Sequence, residues 1–132
     1  MDTVGLVDLG EETYVSVTTF KRDGTPVSTP VWVARDDGRL LIHSGADSWK
    51  VRRIRRDNHV RVAGCSFNGK VHGEVFDGEA TILADISRVQ ALEAQKYGLV
   101  YRFLRRFNAM NRRLRRKPDP ESVTIAVVPA PR

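Results

Sequence analysis

The residues best suited to chemistry lie in one short stretch, HSGADSWKVRRIRRD, residues 43–57. It brings together His43, the hydroxyls of Ser44 and Ser48, and the first of six Lys/Arg between Lys50 and Arg61. The chemistry on offer is anion binding. A helix start presents free amide N–H groups and the positive end of a dipole, and hydroxyls plus a lysine beside it complete a phosphate site. With about 100° per residue, Val51 and Ile54 share the packed face of a helix here. Lys50 and Arg53 flank that face, Arg52 and Arg56 point away from it, and Asp57 is spaced to pair with Arg53. Charge runs are usually solvated helix surfaces, and on charge alone that plainer reading is preferred.

A second basic stretch, YRFLRRFNAMNRRLRRK at residues 101–117, holds seven Arg and one Lys. Binding to a nucleic-acid backbone or an anionic bilayer would use such a run. Phe103 and Phe107, however, fall on an apolar stripe with Val100, Leu104, Met110 and Leu114, so they read as packing groups and not as base-stacking platforms. A packed helix with a basic outer face is the better reading, and nucleic acid is not the expected partner. His43, His59 and His72 lack the spacing of metal ligands, and no metal site is expected. Glu74 and Asp77 read as a solvated hairpin rather than a catalytic pair. Trp32 and Trp49 could shield a ring or fill the barrel or a subunit interface. No Ser-His-Asp, Cys-His or P-loop pattern is present.

The elements that must position these groups are short. Tyr14–Phe20 alternates as a half-buried strand, and Asp23-Gly24 supplies a tight turn. Residues 26–34 and 39–44 flank Asp36-Asp37-Gly38, giving an antiparallel meander with Pro26 and Pro30 near an edge. Asp47 or Ser48 caps a helix through Asp57. Val60–Ser66 is a strand turning at Asn68-Gly69, and Val71–Phe76 and Glu79–Leu83 form two more around a turn at Asp77-Gly78. Ser87 and Gln90 form a capping box for a helix to about Tyr97, ended by Gly98. A further helix, 100–116, stops at Lys117-Pro118-Asp119-Pro120, and Ser122–Val128 is the last strand. The expected fold is mainly β (α+β): six or seven antiparallel strands curling into a barrel, with three inserted helices, in one domain spanning residues 1–132.

Composition narrows the partners. The 132 residues are 41% hydrophobic and 29% charged, as in a globular protein. A net charge of +6 invites a polyanion. The lone Cys65 fits a reducing cytoplasm, and the lack of about 18 consecutive apolar residues argues against a membrane partner.

The spacing of LIHSGADSWKVRRIRRD resembles the phosphate segment of the pyridoxamine-phosphate-oxidase-like flavin-binding split β-barrels. There an aromatic or polar residue and a Ser/Thr precede Ser-x-Lys and a short helix. His43, Ser44, Ser48 and Lys50 occupy those places. Upstream, VSVTTFKRDGTPVSTPVWVARDDGRLLIHS is similar to the family's first three strands. The family's ring-contacting strand maps onto Ser28, Thr29, Pro30, Val31, Trp32 and Val33. Within the family, DGTPVSTPVWV and KVRRIRRD are most similar to the branch that uses the deazaflavin F420 (8-hydroxy-5-deazaflavin). Trp49 and Ser28 stand where pyridoxamine phosphate oxidases often carry basic residues. Their Trp-Arg-Leu motif is missing from the closing IAVVPAPR.

The resemblance implies a homodimeric F420-dependent oxidoreductase, with the cofactor at the subunit interface and a hydride passed to an unsaturated small-molecule acceptor. Lys50 and Arg53 would hold the phosphate with Ser44 and Ser48, beside His43. Arg55 or Arg56 would meet tail carboxylates, and the backbone of Pro30–Trp32 would line the ring. FMN is the alternative cofactor, and a non-catalytic carrier of FMN, F420 or haem is the alternative function. No residue stands out as general acid, which leaves proton supply to water.

Overall fold

The computed structural model describes residues 5–98 and 121–131. The expected helix over 100–116 and its proline stop lie outside the described residues. Among the described residues seven strands form one antiparallel sheet: β1 (Tyr14–Phe20), β2 (Pro26–Trp32), β3 (Ala34–Asp36), β4 (Arg39–Gly45), β5 (His59–Cys65), β6 (Val71–Leu83) and β7 (Ser122–Pro129). Helix α1 (Trp49–Arg56) follows β4, helix α2 covers residues 87–98, and a 3-10 helix at Leu6–Glu11 precedes β1. That first helix has no counterpart in the sequence-based expectation.

Strand order is β2-β1-β5-β6-β7-β4-β3. The edge strands β2 and β3 are consecutive in the chain, separated by Val33 alone, so the sheet curls back on itself. Pro26 and Pro30 sit on edge strand β2, where a missing N–H costs no ladder bond. This one extended run pairs with β1 through Trp32 and with β4 from Ala34 onward. Beyond that exchange of partners, no ladder joins β2 to the Ile42–Gly45 half of β4. The barrel is split there.

The interior holds Val15, Val17, Val33, Leu40, Ile42, Val60, Val62, Ile125 and Val127, with Val51 and Ile54 of α1 closing one end. Burying side chains of this size contributes about 1.5–3 kcal/mol each, which sets the register of every strand. A second cluster, Leu41, Ala126 and Val89 with Leu83, Ile86 and Leu92, lies under α2 on the other face. Strand β7 is thereby covered on both faces, which accounts for its unbroken apolar run.

Two local expectations change. Asp77-Gly78 is no turn: β6 runs straight through it for 13 residues, pairing first with β5 and then with β7. Gly78 is required by packing, since a Cβ there would lie 2.7 Å from Val127 Cγ1 and 3.1 Å from the Val128 carbonyl oxygen. Asp77 pairs with His59 (2.8 Å) and Arg61 (3.4 Å), not with Glu74, which as a strand residue three positions away faces the other side. At α2, Asp85 does the capping expected of Ser87 and Gln90, accepting from the Ser87 N–H (2.9 Å) and hydroxyl (2.7 Å).

Candidate functional site

Helix α1 seals the end of the barrel where β4 finishes, and its sequence decides which groups face where. Ser48 is its N-cap, accepting the Val51 N–H at 3.3 Å. Val51 and Ile54 are buried, which fixes the rotation of the helix about its axis. The Ser44 and Ser48 hydroxyls then lie 3.1 Å apart, with Ser44 itself buried on the inner face of β4. Lys50 is half-buried beside that helix start, and its ammonium makes no ion pair or hydrogen bond among the described residues. Burial lowers the pKa of Lys50, as it does for a cation with no counter-charge. An anion at the Ser44, Ser48 and Lys50 cluster would relieve that penalty.

The remaining cations of α1 face outward. Trp49, Arg52, Arg53 and Arg56 share one helix face, spaced three or four apart. With Lys21 and Arg22 of the β1–β2 turn they line a groove of about 670 Å³. Trp49 is 67% exposed and carries the Arg52 and Arg53 guanidiniums at 5.0 and 6.0 Å from its ring centroid. Arg56 donates to the Phe20 carbonyl oxygen, which ties the helix to the end of β1. None of the five cations ion-pairs with a carboxylate among the described residues. The Arg53–Asp57 pair expected from spacing is not formed, and Asp57 instead accepts the His59 N–H at 3.2 Å.

The structure distributes the remaining candidates unevenly. Arg55 is exposed and lies outside the groove. Along β2, Ser28 is exposed and its hydroxyl meets that of Thr18 at 2.7 Å, while Pro30 is exposed at the edge. Thr29 is half-buried, and Val31 packs on the interior core. Trp32 stacks on Tyr97 of α2 with centroids 4.1 Å apart and planes 7° apart, so one face of its ring is already covered. His43 alternates with Ser44 along β4, and adjacent strand residues point to opposite faces. Its backbone N–H faces the Glu93 carboxylate of α2.

Sequence reasoning overlooked Lys21 and Arg22, which a turn brings to the helix from about 30 residues upstream. It also overlooked Glu93, Lys96 and Tyr97. The available signal was a carboxylate at Glu93 one turn beyond Val89 on the buried stripe of α2, where both are buried. Among the described residues no cluster of His, Cys, Asp or Glu could hold a metal, and no helix is long and apolar enough to cross a membrane.

The fold is shared with solved structures of low sequence identity. An F420 reductase matches at 18% identity and a TM-score of 0.62, over 98% of this chain and 97% of its own. A putative pyridoxamine 5'-phosphate oxidase from Listeria innocua matches at 20% identity and 0.61, over 96% of this chain and 90% of its own. The haem storage protein HutZ of Vibrio cholerae matches at 11% identity and 0.64, over 92% and 84%. No curated protein matches the sequence significantly. The family profile described as Pyridoxamine 5'-phosphate oxidase matches residues 7–128. With nearly the whole chain under that profile and a split antiparallel sheet to match, the chain belongs to the pyridoxamine 5'-phosphate oxidase-like family of split β-barrels.

Proposed function

We infer that this protein is a cytoplasmic oxidoreductase that binds reduced F420 and delivers its hydride to an unsaturated organic acceptor. One observation carries the reading. A half-buried lysine two residues past Ser48, whose hydroxyl meets that of Ser44, adjoins a groove whose five cations ion-pair with no carboxylate among the described residues. FMN has one phosphate, which the Ser44, Ser48 and Lys50 cluster would satisfy alone. The groove fits further negative charges spaced along a chain, as in the phosphate and oligoglutamate tail of F420.

When bound, the deazaflavin supplies a hydride. The chain's own residues bind and orient. Lys50, Ser44 and Ser48 would hold the phosphate, and Arg53 would bridge that cluster to the groove. Lys21, Arg22, Arg52 and Arg56 would neutralise the tail. The backbone of Pro30–Trp32 would lie along the ring. Exposed Phe67, Val71 and Val75 on the arm formed by β5 and β6 offer an apolar surface for a second copy, which supports a homodimer with the site at its interface.

The test is a fluorescence titration with F420 and, separately, FMN at two salt concentrations. Micromolar or tighter F420 binding that weakens with salt, with weaker FMN binding, is expected. Lys50→Ala lowers F420 affinity at least about tenfold, or roughly 1.4 kcal/mol, with the circular dichroism spectrum unchanged. Unaltered affinity in that variant overturns the phosphate assignment. Oxidation of bound F420H2 by conjugated acceptors such as quinones or tetrapyrroles then separates a reductase from a carrier.

A further inference from the structure

Strand β4 pairs with β7 along one edge over Leu40–Gly45, and with β3 along the other only as far as Leu41. Strand β2 pairs with β1 along one edge and, among the described residues, has no strand on its second. Backbone groups along the split therefore need partners from elsewhere, because a buried N–H or C=O left unsatisfied is costly. Helix α2 supplies them.

Val33, fully buried, is where the chain exchanges one strand partner for another. Its N–H donates to the Tyr97 hydroxyl at 3.1 Å. That hydroxyl in turn faces the carbonyl oxygens of Thr13 (2.7 Å) and Val33 (3.0 Å), to one of which it donates. The Lys96 ammonium uses its three protons on three carbonyls: Val33 (2.7 Å), Gly10 (2.8 Å) and Glu12 (2.5 Å). Across the split, Val89 and Leu92 of α2 pack on Leu41 of β4, and the His43 N–H of that strand faces the Glu93 carboxylate. Glu93, Lys96 and Tyr97 are three and four apart and so share one face of α2. One face of a single helix thus grips both walls of the split, and the Tyr97 ring rests on Trp32 as well.

We propose that Glu93, Lys96 and Tyr97 form a latch that fixes the separation of β2 and β4 and so positions the Pro30–Trp32 backbone. The latch stands on the Tyr97 and Lys96 hydrogen bonds and on the packing of α2 against β4, whereas its consequence for a cofactor rests on the functional reading above. These are positioning residues: they act on the strand and touch no substrate.

Amide hydrogen exchange on the full chain, followed by NMR without cofactor, tests it. Tyr97→Phe keeps the ring against Trp32 and removes only the hydroxyl. The Val33 amide should then exchange at least about tenfold faster, while Val17 and Val62 in the barrel keep their protection. Glu93→Ala should do the same to the His43 amide, and Glu93→Gln, which retains an acceptor oxygen, should restore it. Unchanged exchange at Val33 and His43 overturns the latch. So does equal acceleration at all amides, which marks a general loss of stability. F420 titration of the same variants keeps the two readings separable. Local loss of protection with F420 affinity reduced supports both. Local loss in a chain that never binds F420 supports the latch and removes its cofactor role.

Discussion

Replacing Glu93 with glutamine should stabilise the protein, and only above a defined pH. Glu93 is 3% exposed, and burial pushes its carboxyl from 4.5 up to about 7, against the pull of Lys96 and the His43 N–H. The groups facing it are Lys96 and Tyr97 on its own helix and His43 on β4. Tyr14 on β1, and Glu11 and Glu12 at the end of the 3-10 helix, act on Tyr97 and Lys96 in turn. The folded state holds the Glu93 proton more tightly than the unfolded state does. Its contribution to stability is therefore fully present below pH 4.5 and is lost as pH rises through about 7. At about 1.4 kcal/mol per pKa unit, the difference between 4.5 and about 7 corresponds to at most about 3 kcal/mol at pH 8. Glutamine keeps the oxygen that accepts from His43 and carries no charge. Glu93→Gln should thus gain up to about 3 kcal/mol over wild type at pH 8, or roughly 10 °C in Tm, and almost nothing at pH 4. Urea denaturation of both proteins at several pH values between those limits measures it. A difference that does not change with pH, or a variant less stable than wild type at pH 8, refutes the reasoning.

Two further outcomes follow from other parts of the molecule. Gly78→Ala forces a Cβ against Val127 and the Val128 carbonyl, which should cost about 1–3 kcal/mol in urea denaturation; a wild-type midpoint would contradict the close approach of β6 and β7. Reversing two charges at once, Lys21→Glu with Arg22→Glu, should weaken F420 more than FMN and steepen the preference for low salt less than in wild type. Equal effects on the two ligands would remove the groove from the tail-binding role.

How much was legible depended on whether the signal was local. Strand β1 alternates within itself, and α1 carries its own cap in Ser48 and its own buried pair in Val51 and Ile54, so both emerged at nearly their observed bounds. Asp77-Gly78 misled because a glycine required by a neighbouring strand looks, in sequence, like a glycine required by a turn. Its partner Pro129 is about 50 residues away, and no local pattern announces that pairing. The exchange of partners at Val33 was hidden for the same reason, since β2 and β3 read as one extended run. In the candidate site, Ser44, Ser48 and Lys50 were legible because their spacing along one turn of chain sets their proximity. The groove was only half legible. Its helix face follows from periodicity, but the arrival of Lys21 and Arg22 depends on where the β1–β2 turn meets the end of the barrel.

The position of β7 has a consequence for how the chain folds. It lies between β6 and β4, and its removal would leave a four-stranded block, β2-β1-β5-β6, and a separate β4-β3 hairpin. The widest pairing within those pieces is the β1–β5 ladder, which joins Tyr14 to Cys65, whereas the β4–β7 ladder joins Leu40 to Val127. Closing so long a loop is slow, and until it closes β6 and β4 both present open edges that invite pairing with other chains. Because β7 is synthesised after every other strand of the described sheet, a nascent chain must wait with both edges bare. Chaperone dependence and aggregation during expression should therefore respond most sharply to changes in residues 122–129, whose first members pair with His43, Ser44 and Gly45 and so also carry the strand end that holds the proposed phosphate site.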